Sequence, residues 1–132
     1  MNGARPSRRE RGQALVEFAI VLPILVVLLL GVVDAARLIW TYVALAEAAQ
    51  EGALFGSQDP NPGRITTRVQ QSSSAPEVTG SAVSATCPSG KVTVTVSFPL
   101  QLITPVGAQI FGSPFTVSAT NTSTNFKGSA CI

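Results

Sequence analysis

The residues from Gly12 to Val33 read GQALVEFAIVLPILVVLLLGVV. One acid, Glu17, stands near the start, and the rest is almost wholly apolar. As an α-helix, Ala14 to Val33 would be ~30 Å long, about the thickness of one hydrocarbon core. The apolar core of a secretory signal is shorter, roughly 7–15 residues. This run is therefore long enough to stay in a membrane, with a transmembrane span at about residues 14–33. Pro23 lies inside it and removes the bond its N–H would give to the Ala19 carbonyl, so a kink or loosened turn is expected there. Membrane helices tolerate such prolines.

On the N-terminal side stand Arg5, Arg8, Arg9 and Arg11, with only Glu10 against them. Basic residues flanking an apolar span stay in the cytoplasm, so the N-terminus is expected inside and the C-terminal part outside. Residues 1–12 have no periodicity and read as a disordered basic leader. The arginines abut a membrane helix and no basic surface follows, so nucleic acid is not the expected partner; membrane lipid is.

On the C-terminal side the helix continues. Asp34 to Phe55 contains good helix formers and no proline. Leu38, Tyr42, Leu45 and Ala49 recur at helical spacing and form one apolar face. Ala44, Ala48, Gly52 and Gly56 make a ridge of small residues that lets a neighbouring backbone come close. Asp34 and Arg37 are placed to pair on the helix surface, Trp40 and Tyr42 suit a membrane interface, and Glu47 with Glu51 reads as a solvated edge. The expected result is one helix over about 13–56, its first half in lipid and its second half amphipathic and outside. Gln58-Asp59-Pro60-Asn61-Pro62-Gly63 ends it.

Residues 57–132 are expected to form one small extracytoplasmic domain. Arg64 to Gln71 suits a short helix with Ile65 and Val69 inward, and Ser72 to Gly80 suits a loop. Val83, Ala85 and Cys87 alternate with polar residues, as do Val92, Val94, Val96 and Phe98 in KVTVTVSF, and then Phe115, Val117 and Ala119. Period-two alternation marks strands, and Pro88-Ser89-Gly90 suits the turn of a hairpin. Pro99 to Gly112 reads as an apolar connection with a helical turn. The fold class is therefore α+β: a long N-terminal helix covering the apolar face of a small antiparallel sheet.

The 132 residues leave room for only one small domain beyond the helix, and charged residues make up 12%. Histidine is absent, which removes the commonest general base and metal ligand. No catalytic constellation, metal set or cofactor motif stands in the chain, so it reads as a structural protein and not an enzyme. Cys87 and Cys131 both fall in the exported part, where an oxidising compartment lets them pair. A disulfide between them would stabilise a small domain by roughly 4 kcal/mol in the chain-entropy model. Asn121-Thr122-Ser123 matches a glycosylation sequon but lies in a stretch that alternates as a strand.

Glu17 needs a reason. A carboxylate within the membrane costs about 2.5 kcal/mol or more. At the headgroup level it would simply favour the helix dipole. Its spacing from Gly12 suggests more. A cut after Gly12 would place a new α-amine on Gln13 and make Glu17 the fifth residue of the shortened chain. That amine, with a pKa near 8, is cationic at neutral pH, and could pair with Glu17 of a neighbouring subunit and fix the axial register of packed helices.

The run Arg11-Gly12-Gln13-Ala14-Leu15-Val16-Glu17-Phe18-Ala19, through Leu22-Pro23, resembles the N-terminus of TadE-like proteins. These are pilins or pseudopilins of tight-adherence (Tad, Flp-type) systems within the type IV pilin class. The resemblance continues through Gly31, Asp34 and Arg37 into ALAEAAQEGA at Ala44 to Ala53. It implies a prepilin-peptidase site at Gly12 and Gln13, with Glu17, Phe18 and Pro23 in the segment through which subunits assemble. Phe18 stands where tight-adherence pilins often carry tyrosine. The implied partners are other pilin or pseudopilin subunits, prepilin peptidase and an inner-membrane assembly platform. The implied location is first the inner membrane of a bacterium, as a single span, and then a pilus on the cell surface that serves adhesion. Cleavage would take the formal side-chain charge from +2 to −1. The alternative is an unprocessed signal-anchored protein whose extracytoplasmic domain binds a ligand.

Overall fold

The computed structural model describes residues 8–88 and 90–127. Helix α1 runs from Arg8 to Gln58, 51 residues, which at 1.5 Å per residue is ~75 Å. It passes through Pro23 without losing its helical assignment. It begins before Gln13, the expected start, because Arg8-Arg9-Glu10-Arg11 are all good helix formers and a single glycine at position 12 costs only about 1 kcal/mol. Its other end comes at the expected breaker. Residues 1–7 of the leader lie outside the described residues.

The turn after α1 is built by local chemistry. Asn61 caps α2 (Pro62–Gln71): its side-chain Oδ1 accepts the N–H groups of Gly63 and Arg64 at 3.1 and 3.2 Å. Pro62 sits in the first turn, where a missing N–H does no harm. Ile65 and Val69 are fully buried, as their spacing requires. A one-turn helix, α3 (Pro76–Thr79), stands where the sequence reads as loop. Pro76 pre-sets its first turn and Val78 anchors it in the core.

Three strands follow, β1 (Ala82–Thr86), β2 (Lys91–Leu100) and β3 (Phe115–Thr124), in an antiparallel sheet of order β1-β2-β3. Val83 stands opposite Val96, and Val96 opposite Ala119. The β1–β2 turn is closed by a bond from the Lys91 N–H to the Pro88 carbonyl at 3.0 Å. Gly90, at its third position, has φ of 78°, which a residue with a Cβ resists. Between β2 and β3 lies α4 (Pro105–Phe111).

Helix α1 lies across β2 and β3, and α2 packs between α1 and β1. Val92, Val94 and Val96 are fully buried under Leu45, Ala48, Ala49 and Ala53. Each such valine contributes about 1.5–3 kcal/mol relative to an exposed one. The opposite face of the sheet is lined by hydroxyls, with Thr93 bonded to Thr122 at 3.0 Å and Thr95 to Thr120 at 2.9 Å.

The buried face of α1 is rotated from the expected one. Leu45 and Ala49 are buried and Leu38 partly so, but Tyr42 is exposed and Thr41 is buried in its place. The small-residue ridge explains the rotation. A Cβ added at Gly56 would lie 2.7 Å from Cγ1 of Val92 and 2.9 Å from Cδ1 of Ile65, and one at Gly52 would strike Cγ2 of Val69. The ridge receives this chain's own α2 and β2.

Replacing Gly52 with alanine should therefore destabilise the full chain in detergent micelles by about 1–3 kcal/mol, measured by urea unfolding. Gly31→Ala is the control. Nothing stands within 4 Å of its would-be Cβ, so stability should stay level or rise by up to about 1 kcal/mol.

Candidate functional site

Two features of α1 lie outside the α/β core. The first is its N-terminal half. No side chain from Gly12 to Leu29 is buried; α4 comes near them across a cavity that Val27 helps to line. Leu15, Val16, Phe18, Ile20, Ile24 and Leu28 are each about six-tenths exposed. The helix is the only candidate membrane span among the described residues. Gly12, Gln13, Glu17, Phe18 and Pro23 all lie on this bare half. The fold brings none of them against the domain. They share only the helix, along which Gln13 and Glu17 are four residues apart and hence on one face.

The second feature was not foreseen from the sequence. Asp34, the first charge after the apolar run, is buried. Its carboxylate accepts the Ile103 N–H at 2.9 Å and the Thr104 N–H at 2.8 Å, and also takes the Thr104 hydroxyl. The Thr104 side chain, at the N-cap of α4, is turned to Asp34 and gives α4 no side-chain cap. Arg37 stands 3.7 Å from Asp34, a loose version of the expected pair, and donates to the Gln101 carbonyl at 3.2 Å. Together Asp34 and Arg37 fasten the segment 101–104 to α1, at the point where the apolar run ends. The Thr104 hydroxyl, the two backbone N–H groups and the Arg37 guanidinium outweigh the effect of burial and hold the Asp34 carboxyl below the ordinary carboxylate value.

Between α1 and α4 lies an apolar cavity of about 380 Å³, lined among others by Val27, Gly31, Leu38, Leu102 and Ile110. A second hollow of about 480 Å³ is bordered by Glu47, Glu51 and Arg68. Glu51, expected as part of a solvated edge, is paired with Arg68 at 2.6 Å, while Glu47 is exposed. Trp40 and Tyr42 are exposed, as an interfacial role requires. Cys87 is half-buried against the core just past β1; Cys131, its expected partner, lies outside the described residues.

The clue to the Asp34 contact was present in the sequence. An acid directly after sixteen uncharged residues, Phe18 to Val33, needs donors, and Ile103-Thr104-Pro105 offers two N–H groups and a hydroxyl at a helix start. Because the carboxyl is held below its ordinary value, its stabilising contribution is complete above about pH 4, the unfolded carboxylate value, and fades as pH falls through the lowered folded value. Asp34→Asn should remove that acid-side loss and should speed hydrogen exchange of the Ile103 and Thr104 amides at neutral pH, which exchange mass spectrometry or NMR would read.

The comparisons bear on the same helix. The family model described as TadE-like protein matches residues 12–54. Neither curated proteins nor solved structures give a match. The matched segment runs from the bare apolar half of α1 through Asp34 to the buried ridge at Gly52, so over this helix, about a third of the chain, the sequence is similar to TadE-like proteins.

Proposed function

We propose that the chain is a pilin-like structural subunit, or a minor pilin or pseudopilin, of a tight-adherence type IV pilus. It is made as a single-span membrane precursor with its N-terminus in the cytoplasm, and prepilin peptidase cuts it between Gly12 and Gln13. The observation that carries this reading is the bare half of α1. Eighteen consecutive residues, 12–29, are all exposed on their own domain's helix. A helix of that kind is stable in lipid, and equally stable against the like helices of other subunits. Its TadE-like sequence supports the second environment as well as the first.

The cleavage point suits the local structure. Gly12 lies inside the first turns of α1, where a glycine weakens the helix by roughly 0.5–1 kcal/mol and eases the opening that a peptidase needs. Removal of the basic leader leaves an ammonium at Gln13. Glu17, exposed on the same bare half, is the carboxylate available to a neighbouring subunit's ammonium. In a bundle of apolar helices that pair has no competition from water, and it selects one axial offset among many of similar packing energy. Phe18 and Pro23 flank it in the assembly segment. The partners of the chain are then other pilin or pseudopilin subunits, the prepilin peptidase, the membrane's assembly platform and lipid; the domain at the far end of α1 faces outward on the pilus or cell surface.

Cys87 and Cys131 form a staple in this reading. The chain leaves β3 at the end of the sheet where the β1–β2 turn lies. The Asn125 N–H bonds the Gly90 carbonyl at 2.8 Å, and the Phe126 N–H bonds the Ser57 carbonyl at 3.2 Å.

Intact-mass and N-terminal analysis of protein from cells with an active prepilin peptidase should find Gln13 first; a chain that retains Met1 there contradicts the reading and favours a signal-anchored protein. Glu17→Ala should insert in the membrane at least as well as the wild type and fail to enter fibres, read by shearing and blotting. Under non-reducing conditions the exported protein should show no alkylatable thiol.

A further inference from the structure

We infer that α4 is a second membrane contact, an interfacial foot that enters the leaflet beside the domain, with a lipid acyl chain filling the groove between α4 and α1. This rests on the membrane-spanning reading of α1. Four observations carry it.

The first is depth. The cavity between the two helices is walled by Val27 and Gly31 on one side and by Gly107, Ile110 and Phe111 on the other. Val27 and Gly31 belong to the stretch that spans the bilayer. Whatever depth they occupy, the facing side of α4 shares it. The second is composition. From Val92 to Asn125, and on through Phe126, the chain carries no charged residue at all. Nothing on α4 or its flanks opposes entry into the headgroup–acyl boundary, where apolar and aromatic side chains of peripheral helices lie.

The third is exposure. Ile103, Ile110 and Phe111 are half to two-thirds exposed and gather around a seven-residue helix. They form one apolar surface that continues onto the bare half of α1. Further along α1, beyond Asp34, Ile39, Trp40 and Val43 are also exposed. Interfacial aromatics mark the headgroup level, so the membrane boundary reaches past Asp34, and α4, fastened at Asp34, falls within it. The fourth is the Asp34 contact itself. A carboxylate at this depth needs donors that are not water. The two N–H groups and the hydroxyl at the start of α4 supply them, and the same bonds hold α4 at the boundary.

The groove's lining carries almost no polar surface, and it opens on residues that lipid already surrounds. An acyl chain is therefore its occupant while the protein is in the membrane. On leaving the bilayer, this foot has to be withdrawn together with the span.

The test uses the full chain in phosphatidylcholine vesicles. Trp40→Phe removes the single tryptophan, and Phe111→Trp or Ile110→Trp then reports on α4. Both positions are exposed, so either indole fits without repacking. Val27→Trp in the same background reports on the span. Lipids brominated in the upper acyl chain should quench the indole emission at position 111 or 110, and aqueous iodide should quench it little. Lipids brominated at mid-chain should quench at position 27. Quenching at 27 alone, with position 111 and 110 open to iodide, would overturn the foot and leave the span intact. Protection from iodide without quenching by brominated lipid would mean that a second copy of the chain covers the groove, and would also overturn it. No lipid quenching at any of the three positions removes the membrane span, and the foot with it.

Discussion

A helix that is apolar all round cannot be left in water. That constraint governs the bare half of α1, and everything else in the chain is arranged about it. One end of α1 carries residues 12–29, all exposed. The other end, from Thr41 to Gly56, buries one face against α2 and the sheet. One continuous element thus meets two solvents. In the proposed function lipid or sibling helices surround the first half; the domain's own core packs against the second. A rigid helix joins the two without a linker, so the position of the domain relative to the membrane is fixed by where the apolar run stops.

It stops at Asp34. The carboxylate there closes the apolar run and serves as the fastening. Its hydrogen bonds reach 69 and 70 residues along the chain to Ile103 and Thr104, and they place α4 at the mouth of the spanning segment. A buried charge is tolerable only where its hydrogen bonds are met, and here the donors are the otherwise unpaired N–H groups at the start of a short helix. The same contact completes the helix start and neutralises the need for water at the boundary.

Much of this was legible. The apolar run, the breaker at Gln58 to Gly63, the inward pair Ile65 and Val69 and the alternation of Val92, Val94 and Val96 each state their structure locally, through period or turn chemistry. The failures are of a different kind. Bulk points to Tyr42 on the buried face of α1, whereas the structure buries Thr41 there. The sheet and α2 approach the helix too closely for bulk, and Ala48, Gly52, Ala53 and Gly56 carry little hydrophobic signal of their own. The Asp34–Thr104 contact and the Glu51–Arg68 pair could not be read from spacing, because both join residues distant in sequence that only the tertiary fold brings together. The roles proposed for Gly12, Gln13 and Glu17 rest on their likeness to TadE-like proteins, and all three lie exposed on the bare half of α1.

The most direct test asks what surrounds the middle of the bare half. A photoreactive side chain at Ile24, in the full chain, can be activated first in membranes of cells without the pilus machinery and then in cells that assemble fibres. The account predicts adducts with lipid acyl chains in the first case and with the apolar helix of another subunit in the second. Capture of the chain's own domain, or of water in both settings, would contradict it.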